Sequence, residues 1–570
     1  MYFDRVQAFF RFLFRRRRLA LCPVQVRSKL NLLFLCIVLA PAPNVFAGVA
    51  QTGDVFPADN PFTLDVDEGI PDGNTINVFE AINHQTFFEG RHTDGPNLAD
   101  PADDTNVNFD ITVGRSSFGT LLISGESALR DQHLYIGDQF TINSQLRKGT
   151  GVVRITGFGS LYNNDPNILP SEVANVPGFR SQTPRPTDVG FDVFVGRFGT
   201  GTLEITAGAR AEIQDGAFIG DDRTAIGYML VDGIDSFFGN GGFDASSGGG
   251  NNEFHQMIIG RLGTGTMTVS NGATVDSEAP KFNGGGGNQI GPIGAVLGSS
   301  PYSENIGEVT DPGGAGTATV AGAGSKWIVG GSLQVGGFDI GVTGGPAGTI
   351  GDPIGDSTQY SSQSGRGTLY VNDGGLVTVR NGIGIGSTDT TTPLLLAIGR
   401  FGTVQLNGGT IRVGEPNTTS GGGGGNGGNQ SIPDSVQVIN DGVITGSGRI
   451  NTGGFRNRYF GEVRVYGGQS LIIDSAAQVA SAGGATPPEP LVNYGKVEVL
   501  GNSQAPAYLE FVRSPTDPDD TSPVRPFINV ALPELPAAPA FGGGLIHSQF
   551  GNLRFGSGLQ NHSIVAFTDG

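Results

Sequence analysis

The chain has 570 residues, 95 of them glycine, with 15% charged and only 8% aromatic residues and a formal net charge of −19. Glycine at well over twice its usual share of roughly 7% argues against an ordinary α/β enzyme, and the lack of a Gly-X-Y period excludes collagen. Short alternating runs of valine, isoleucine and leucine argue against wholesale disorder, which leaves a folded, turn-rich, all-β chain.

The first fifty residues are of another kind. "RFLFRRRRLALCPVQVRSK" precedes the apolar run Leu30 to Ala40 and then "PAPNVFAG". A basic n-region, an eleven-residue h-region and small residues at Val45 and Ala47 read as a secretory signal, residues 1–47, cut after Ala47. Eleven apolar residues are too few to span a hydrocarbon core of roughly 30 Å, so export is expected rather than permanent anchoring. Both cysteines, Cys22 and Cys36, lie in that segment, so the chain from Gly48 would carry no disulfide and no thiolate metal site. Residues 1–47 hold eight Arg or Lys and one Asp, so the remainder has a formal charge of −26. Such acidity disfavours nucleic acid or an anionic membrane as partner.

Residues 48–108 are rich in Asp, Asn and Pro and read as a leader or cap over the first coil of a repeat, since an open solenoid end exposes unpaired edges. The repeat follows, over 109–415. "VGRFGTGTLEITAGA" (195–209) returns as "IGRLGTGTMTVSNGA" (259–273), a glycine-bounded strand with alternate apolar residues: Leu203 and Ile205, then Met267 and Val269. Thr202, Glu204 and Thr206 face the other side. The same tread begins at Gly119, Gly151, Gly227, Gly316, Gly367, Gly402, Gly461, Gly495 and Gly551, eleven in all with the opening pair, at spacings from 26 to 59 residues. Upstream stands apolar-Gly-Arg at Arg115, Arg197, Arg261 and Arg400; downstream stands "YIGD" ending at Asp138 or "FIGD" ending at Asp221. A second flavour, "VRITGFGSLY", "MLVDGIDSFF" and "ATVAGAGSKW", alternates with the first from Gly119 to Gly316.

A repeat that cannot bury its apolar face alone does so by stacking on its neighbours, and glycine permits the tight corners between short strands. At roughly 20 to 25 residues per coil, about 20 coils are expected. Pro166 to Pro186 and Phe237 to Asn252 read as loops projecting from one side, and 416–434 as a glycine-rich linker or excursion. From 435 to 570 the style changes, and a continued β-solenoid with a second β-repeat stack is expected. The fold class expected is therefore all-β, a right-handed parallel β-helix.

Segments such as "GTATVAGAGSKWIVGGSLQVGG" (316–337), "GRGTLYVNDGGLVTVRNGIGIGS" and "VGRFGTGTLEITAGARAEIQDGAFIGD" resemble the repeat of autotransporter (type V secretion) passengers and PEP-CTERM-associated proteins. The resemblance covers roughly Asp110 to Glu415 and, more faintly, Val436 to Gly570. It implies a parallel β-helix exported to the cell surface or beyond, adhesin-like in role. No translocator barrel, PEP-CTERM tail or terminal hydrophobic helix is legible, so outer-membrane association is expected only through a missing or separate anchor.

Chemistry is sparse. His84, His92, His133, His255, His547 and His562 form neither H-x-H nor H-E-x-x-H, and neither G-x-S-x-G nor a phosphate loop occurs. Acidic clusters at Asp65, Asp67, Glu68 and Asp72, at Asp100, Asp103 and Asp104, at Asp221 and Asp222, and at Asp517, Asp519 and Asp520 read as solvated loops. Asp65, Asp67, Asp517 and Asp519 are retained as weak calcium candidates because D-x-D is part of a calcium loop. No cofactor is otherwise expected. The four Gly-Arg arginines read either as a ligand-reading ladder or, more economically, as partners of nearby Asp or corner carbonyls; Trp327 reads as packed at a coil edge rather than as a sugar platform. The expected function is an exported structural or adhesin-like solenoid without a catalytic centre, touching glycans, other cells or surface matrix. The alternative is a carbohydrate-active β-helix enzyme, a polysaccharide lyase or glycosidase.

Overall fold

A computed structural model describes strands and turns between Gly48 and Thr568. Residues 1–47, 57–74, 79–86, 90–109, 164–191, 241–256, 278–292, 299–312, 337–364, 381–394, 416–436, 475–490, 513–525 and 531–543, with a few single positions, lie outside the described residues. The signal segment and the glycine-rich linker fall among these. The chain divides into two compact units, Met1–Phe46 and Ala47–Gly570, and every described residue belongs to the second.

Every regular element described is a β-strand, and the strands build a parallel β-helix with three faces. In each coil a seven-residue strand such as Thr200–Thr206 lies on face one. A shorter strand such as Arg210–Ile213 follows on face two, and another such as Ala217–Ile219 on face three. The next strand, Ile226–Asp232, then returns to face one beside Thr200–Thr206. Face three is a fourteen-stranded sheet, thirteen strands of it parallel, one per coil. Among the described residues the count is thirteen rather than about 20, because successive coils are separated by connections of up to 30 residues. Faces one and two merge into one 26-stranded sheet because Gly402–Glu415 and Val443–Asn451 each run through both.

The predicted alternation is observed. On face one the burial pattern alternates along each strand, placing Leu203, Ile205, Met267 and Val269 in the core and Thr202, Glu204 and Thr206 outside. The register stacks Leu121, Val153, Leu203, Met229, Met267, Ala318 and Leu369 in one internal column. Trp327 is not at a coil edge: it is fully buried on face two, donating from Nε1 to Ser277 Oγ at 3.1 Å. The same coil carries Ala318 where its neighbours hold Met or Leu, as a core of constant cross-section requires.

The tread glycines also stack. Gly119, Gly151, Gly201, Gly227, Gly265, Gly316, Gly367 and Gly402 are successive Cα partners. They touch a second column, the glycine of the Gly-Arg and Ile-Gly-Asp signatures. A Cβ on Gly201 would lie 2.1 Å from Gly196 N, and one on Gly265 would lie 2.4 Å from Gly260 N. Gly196 and Gly260 themselves have φ of +72° and +73°, a region that side chains disfavour. The two signatures are thus the two sides of one corner.

The alternating flavours have a hydrogen-bond cause. In the serine flavour, Ser236 Oγ donates to its own strand's Asp232 O at 2.7 Å and accepts from Gly208 N of the preceding coil at 3.0 Å. Ser325 repeats this with Ala321 O and Gly272 N. Gly233 N and Gly322 N donate forward to Ser270 O and Asn372 O. A serine corner therefore satisfies donors on both sides, and the coils between need only a small residue there, Ala209 or Ala273.

Two expectations are corrected. Phe237–Asn240 is a face-two strand rather than the start of a loop: Phe238 is buried, in register with Ala211 and Val275. The tread at Gly551 lies on face two, because Gly551–Phe555 follows Leu545–Gln549 after a single residue and pairs with Ala507–Val512. The change of style near residue 435 is a change of corner within the same stack. Leu395–Ile398 and Gln437–Asn440 pair in parallel, with Ile398 opposite Asn440.

Candidate functional site

From Asn440 onward the aliphatic corner residue is replaced by asparagine. Asn440, Asn457, Asn493, Asn529 and Asn561 occupy one register column. Each Nδ2 donates to the next Oδ1, at 2.8, 2.7, 2.8 and 2.8 Å. The first four side chains are fully buried. Second donors reach strand carbonyls, Asn440 to Glu462 O and Asn457 to Lys496 O, both at 3.2 Å. The ladder does with side-chain amides what paired glycines do in earlier coils. Its signal was present as Asn-x-Gly in "INDG" and "VNYG", but its meaning depends on register between coils tens of residues apart.

The residue after the corner is charged and alternates in sign along the stack: Arg115, Asp138, Arg197, Asp221, Arg261. Backbone bonds fix the order, with Asp138 N donating to Gly114 O, Asp221 N to Gly196 O and Arg261 N to Gly220 O. Arg261 Nε stands 2.7 Å from Asp221 Oδ1, and Asp138 lies in the field of Arg197 and, less strongly, Arg115. Burial nevertheless pushes both Asp138 and Asp221 carboxyls up, outweighing those arginines. The series resumes as Arg400, Asp441 and Arg458, with Arg458 Nη1 at 3.1 Å from Asp441 Oδ2. Here burial pushes Asp441 up to about 7 and Arg458 down, so desolvation of the two outweighs their attraction. Of the two sequence readings of the arginines, the one that pairs them with nearby aspartates describes Arg261, and Arg197 acts on Asp138 through its field while its guanidinium covers Tyr135.

The arginines also cover aromatic rings on the outside of face three. His133, Tyr135, Phe194 and Phe218 stack with centroids 5.8, 5.3 and 4.8 Å apart and planes within 21°. Arg197 lies over Tyr135 at 4.5 Å, and Arg400 over Phe460 at 4.4 Å. Tyr135, Phe194 and Phe218 share one register column and stack from coil to coil, while His133 stacks on Tyr135 within its own strand. That stacking links successive coils.

Connectivity singles out face three in another way. From Phe118 onward, turns between faces one and two never exceed six residues, the longest being 501–506, whereas every long connection in that part of the chain, among them 164–192, 336–365 and 475–490, enters or leaves beside face three. The loop expected at Pro166 to Pro186 attaches here and lies itself outside the described residues. So do the calcium candidates Asp65, Asp67, Asp517 and Asp519, the remaining members of their clusters, and His84, His92 and His255. Of the described histidines, His133 stacks on Tyr135 and His547 Nε2 is 3.1 Å from Thr568 Oγ1. Among the described residues no group of three His, Cys, Asp or Glu gathers as a metal site.

Fold and ladders together define a protein of the parallel β-solenoid class. No protein-family model matches the chain, and no curated protein matches it either.

Proposed function

We propose that this chain is an exported, adhesin-like structural solenoid without a catalytic centre, acting at the cell surface or outside the cell on glycans, other cells or surface matrix, as its resemblance to autotransporter passengers implies. The observation that carries the reading is the use made of the described charged groups. Asp221 and Asp441 stand against Arg261 and Arg458 along the corner, and on the outside of face one Arg154 pairs with Glu204 at 2.7 Å and Arg464 with Glu498 at 3.3 Å. Carboxylates held this way brace coil to coil. A hydrolase or lyase needs instead an acid and a base converging on an open site. The clustering of long connections beside face three supports a scaffold that carries segments of differing length along one side.

The test is to present the exported protein to a panel of bacterial and plant polysaccharides and to whole cells. Retention on a glycan or cell surface, with the polymer recovered at unchanged length, is the expected outcome. Release of shortened chains carrying new reducing or unsaturated ends would make the protein a carbohydrate-active enzyme and overturn the proposal.

A further inference from the structure

The corner between faces three and one changes in length and chemistry midway along the stack. The residue before the tread glycine is Thr150, Thr200, Ile226, Thr264 or Ala315 in earlier coils; register then brings Arg366, Phe401, Asp441 and Phe460 to the same point of four successive coils. Between the face-three strand and that glycine stand Gly399, Arg400 and Phe401 in one coil, Asp441 alone in the next, and Arg458, Tyr459 and Phe460 in the third. Two three-residue corners thus flank a one-residue corner, two strand spacings or roughly 10 Å apart. Phe401 is 43% and Phe460 40% exposed. The Arg400 guanidinium lies 4.4 Å over the Phe460 ring and 6.0 Å from that of Phe401, so it spans the short corner between them.

The charges at this step do not balance. Asp441 turns to Arg458 and Glu462 to Arg464, which leaves Arg366 and Arg400, both exposed and both without an acidic partner among the described residues. A guanidinium binds a carboxylate through two parallel N–H donors, and an exposed ring takes the apolar face of a sugar. Repulsion from the acidic remainder of the chain is screened beyond about 8 Å at physiological ionic strength, so these local groups decide what binds. We infer that this corner binds a uronic-acid polysaccharide, its carboxylates on Arg366 and Arg400 and its sugar rings against Phe401 and Phe460. The ring spacing corresponds to about two pyranose units, so one disaccharide repeat spans the step. The inference rests on the adhesive reading above and gives it a place and a ligand class. Of the four Gly-Arg arginines, it assigns ligand reading to Arg400.

The test compares binding of the full chain to immobilised polygalacturonate, alginate and hyaluronate with binding to the carboxyl-reduced form of each and to polyglutamate, a carboxylate polymer without sugar rings. At least one uronate polymer should be retained, with its reduced form and polyglutamate at least about tenfold weaker. The double variant Arg366→Gln and Arg400→Gln should also weaken retention at least about tenfold, with hydrogen-exchange protection of Val443–Asn451 unchanged. Should that protection fall because Arg400 packs on Phe460, Arg366→Gln alone, which covers no described ring, serves in its place. Failure to retain any of the three polymers overturns the inference, as do equal retention of the reduced polymer or of polyglutamate and retention that persists in the folded variants. Retention of neutral glycans or whole cells that ignores both arginines would overturn it while leaving the adhesive reading standing. Shortening of a polymer whose retention needs both arginines would overturn that reading and leave the site in place.

Discussion

Replacing Asn493 with leucine removes the middle rung of the amide ladder while keeping side-chain volume similar. Asn493 accepts from Asn457 at 2.7 Å and donates to Asn529 at 2.8 Å in a fully buried column. Asn457 retains a carbonyl partner in Lys496 O, but Asn529 Oδ1 loses its ladder donor. Two net hydrogen bonds at about 1 kcal/mol each, plus one buried unsatisfied acceptor at about 1–3 kcal/mol, give a cost of about 3–5 kcal/mol. In a stacked repeat that cost is local, so the readout is hydrogen exchange by strand rather than one melting temperature. Protection should fall in Leu491–Asn493 and Phe527–Asn529 and stay unchanged in Val193–Val195. Asn561→Leu, at the exposed end of the column, should cost under about 1 kcal/mol. Asn493→Asp should be partly repaired in acid, where the protonated carboxyl again donates to Asn529. Equal protection in Asn493→Leu and the parent chain would refute the claim that the ladder holds these coils together.

Gly201→Ala should disrupt its own coil and both neighbours, since the new Cβ falls 2.1 Å from Gly196 N; limited proteolysis at this point of the stack is the measurement, and unchanged resistance would contradict the corner packing. Ser236→Ala should cost about 1–2 kcal/mol by leaving Gly208 N without its partner, seen as faster exchange of that amide. Leu203→Asp or Ile205→Asp should cost several kcal/mol locally, through burial of a carboxylate in the internal column, and unchanged thermal and proteolytic stability would contradict the inward assignment. Asp441 gives a pH dependence. Its folded pKa, raised to about 7, lies above the unfolded value, so its contribution is fully present below about pH 4 and is lost as pH rises through 7. With the intrinsic base catalysis of amide exchange divided out, the coil of Gln437–Asn440 should thus show higher protection at mildly acidic pH than in mild alkali, and Asp441→Asn should abolish that difference in protection. The raised Asp138 and Asp221 act in the same direction.

Much of this architecture is legible in the sequence because a period of two survives any insertion. Leu203 and Ile205 face inward whatever lies between one coil and the next, and ten of the eleven tread glycines mark the start of a face-one strand. What is not legible depends on partners across coils. Asp138 and Asp221 stand in signatures that look separate from the Gly-Arg arginines, and only the stacking interleaves them. The tread at Gly551 has the right local form, but the one-residue turn before it moves it to face two. Phe237–Asn240 looks like loop because it runs into glycine, while Phe238 is held inside by columns that no local pattern displays. The segments that carry the calcium candidates have no repeat of their own to fix them to a coil.

The two corner chemistries divide the stack by how it fails. Before Asn440 a corner is held by closeness: two glycine columns approach within a distance that no Cβ tolerates, and the adjacent charges are compensated by alternation of sign. Glycine loses more conformational freedom on ordering than any other residue, so these coils depend on burial of their aliphatic columns. From Asn440 the same corner is held by directed bonds between side-chain amides. Steric substitution of a corner glycine should therefore be harmful in both regions, Gly461 standing as close to its neighbours as Gly201 does, whereas loss of a side-chain amide should be most harmful in the second. A solenoid whose coils contact only their neighbours can accommodate such a change of corner at one step, because the strand spacing and register on all three faces continue across it.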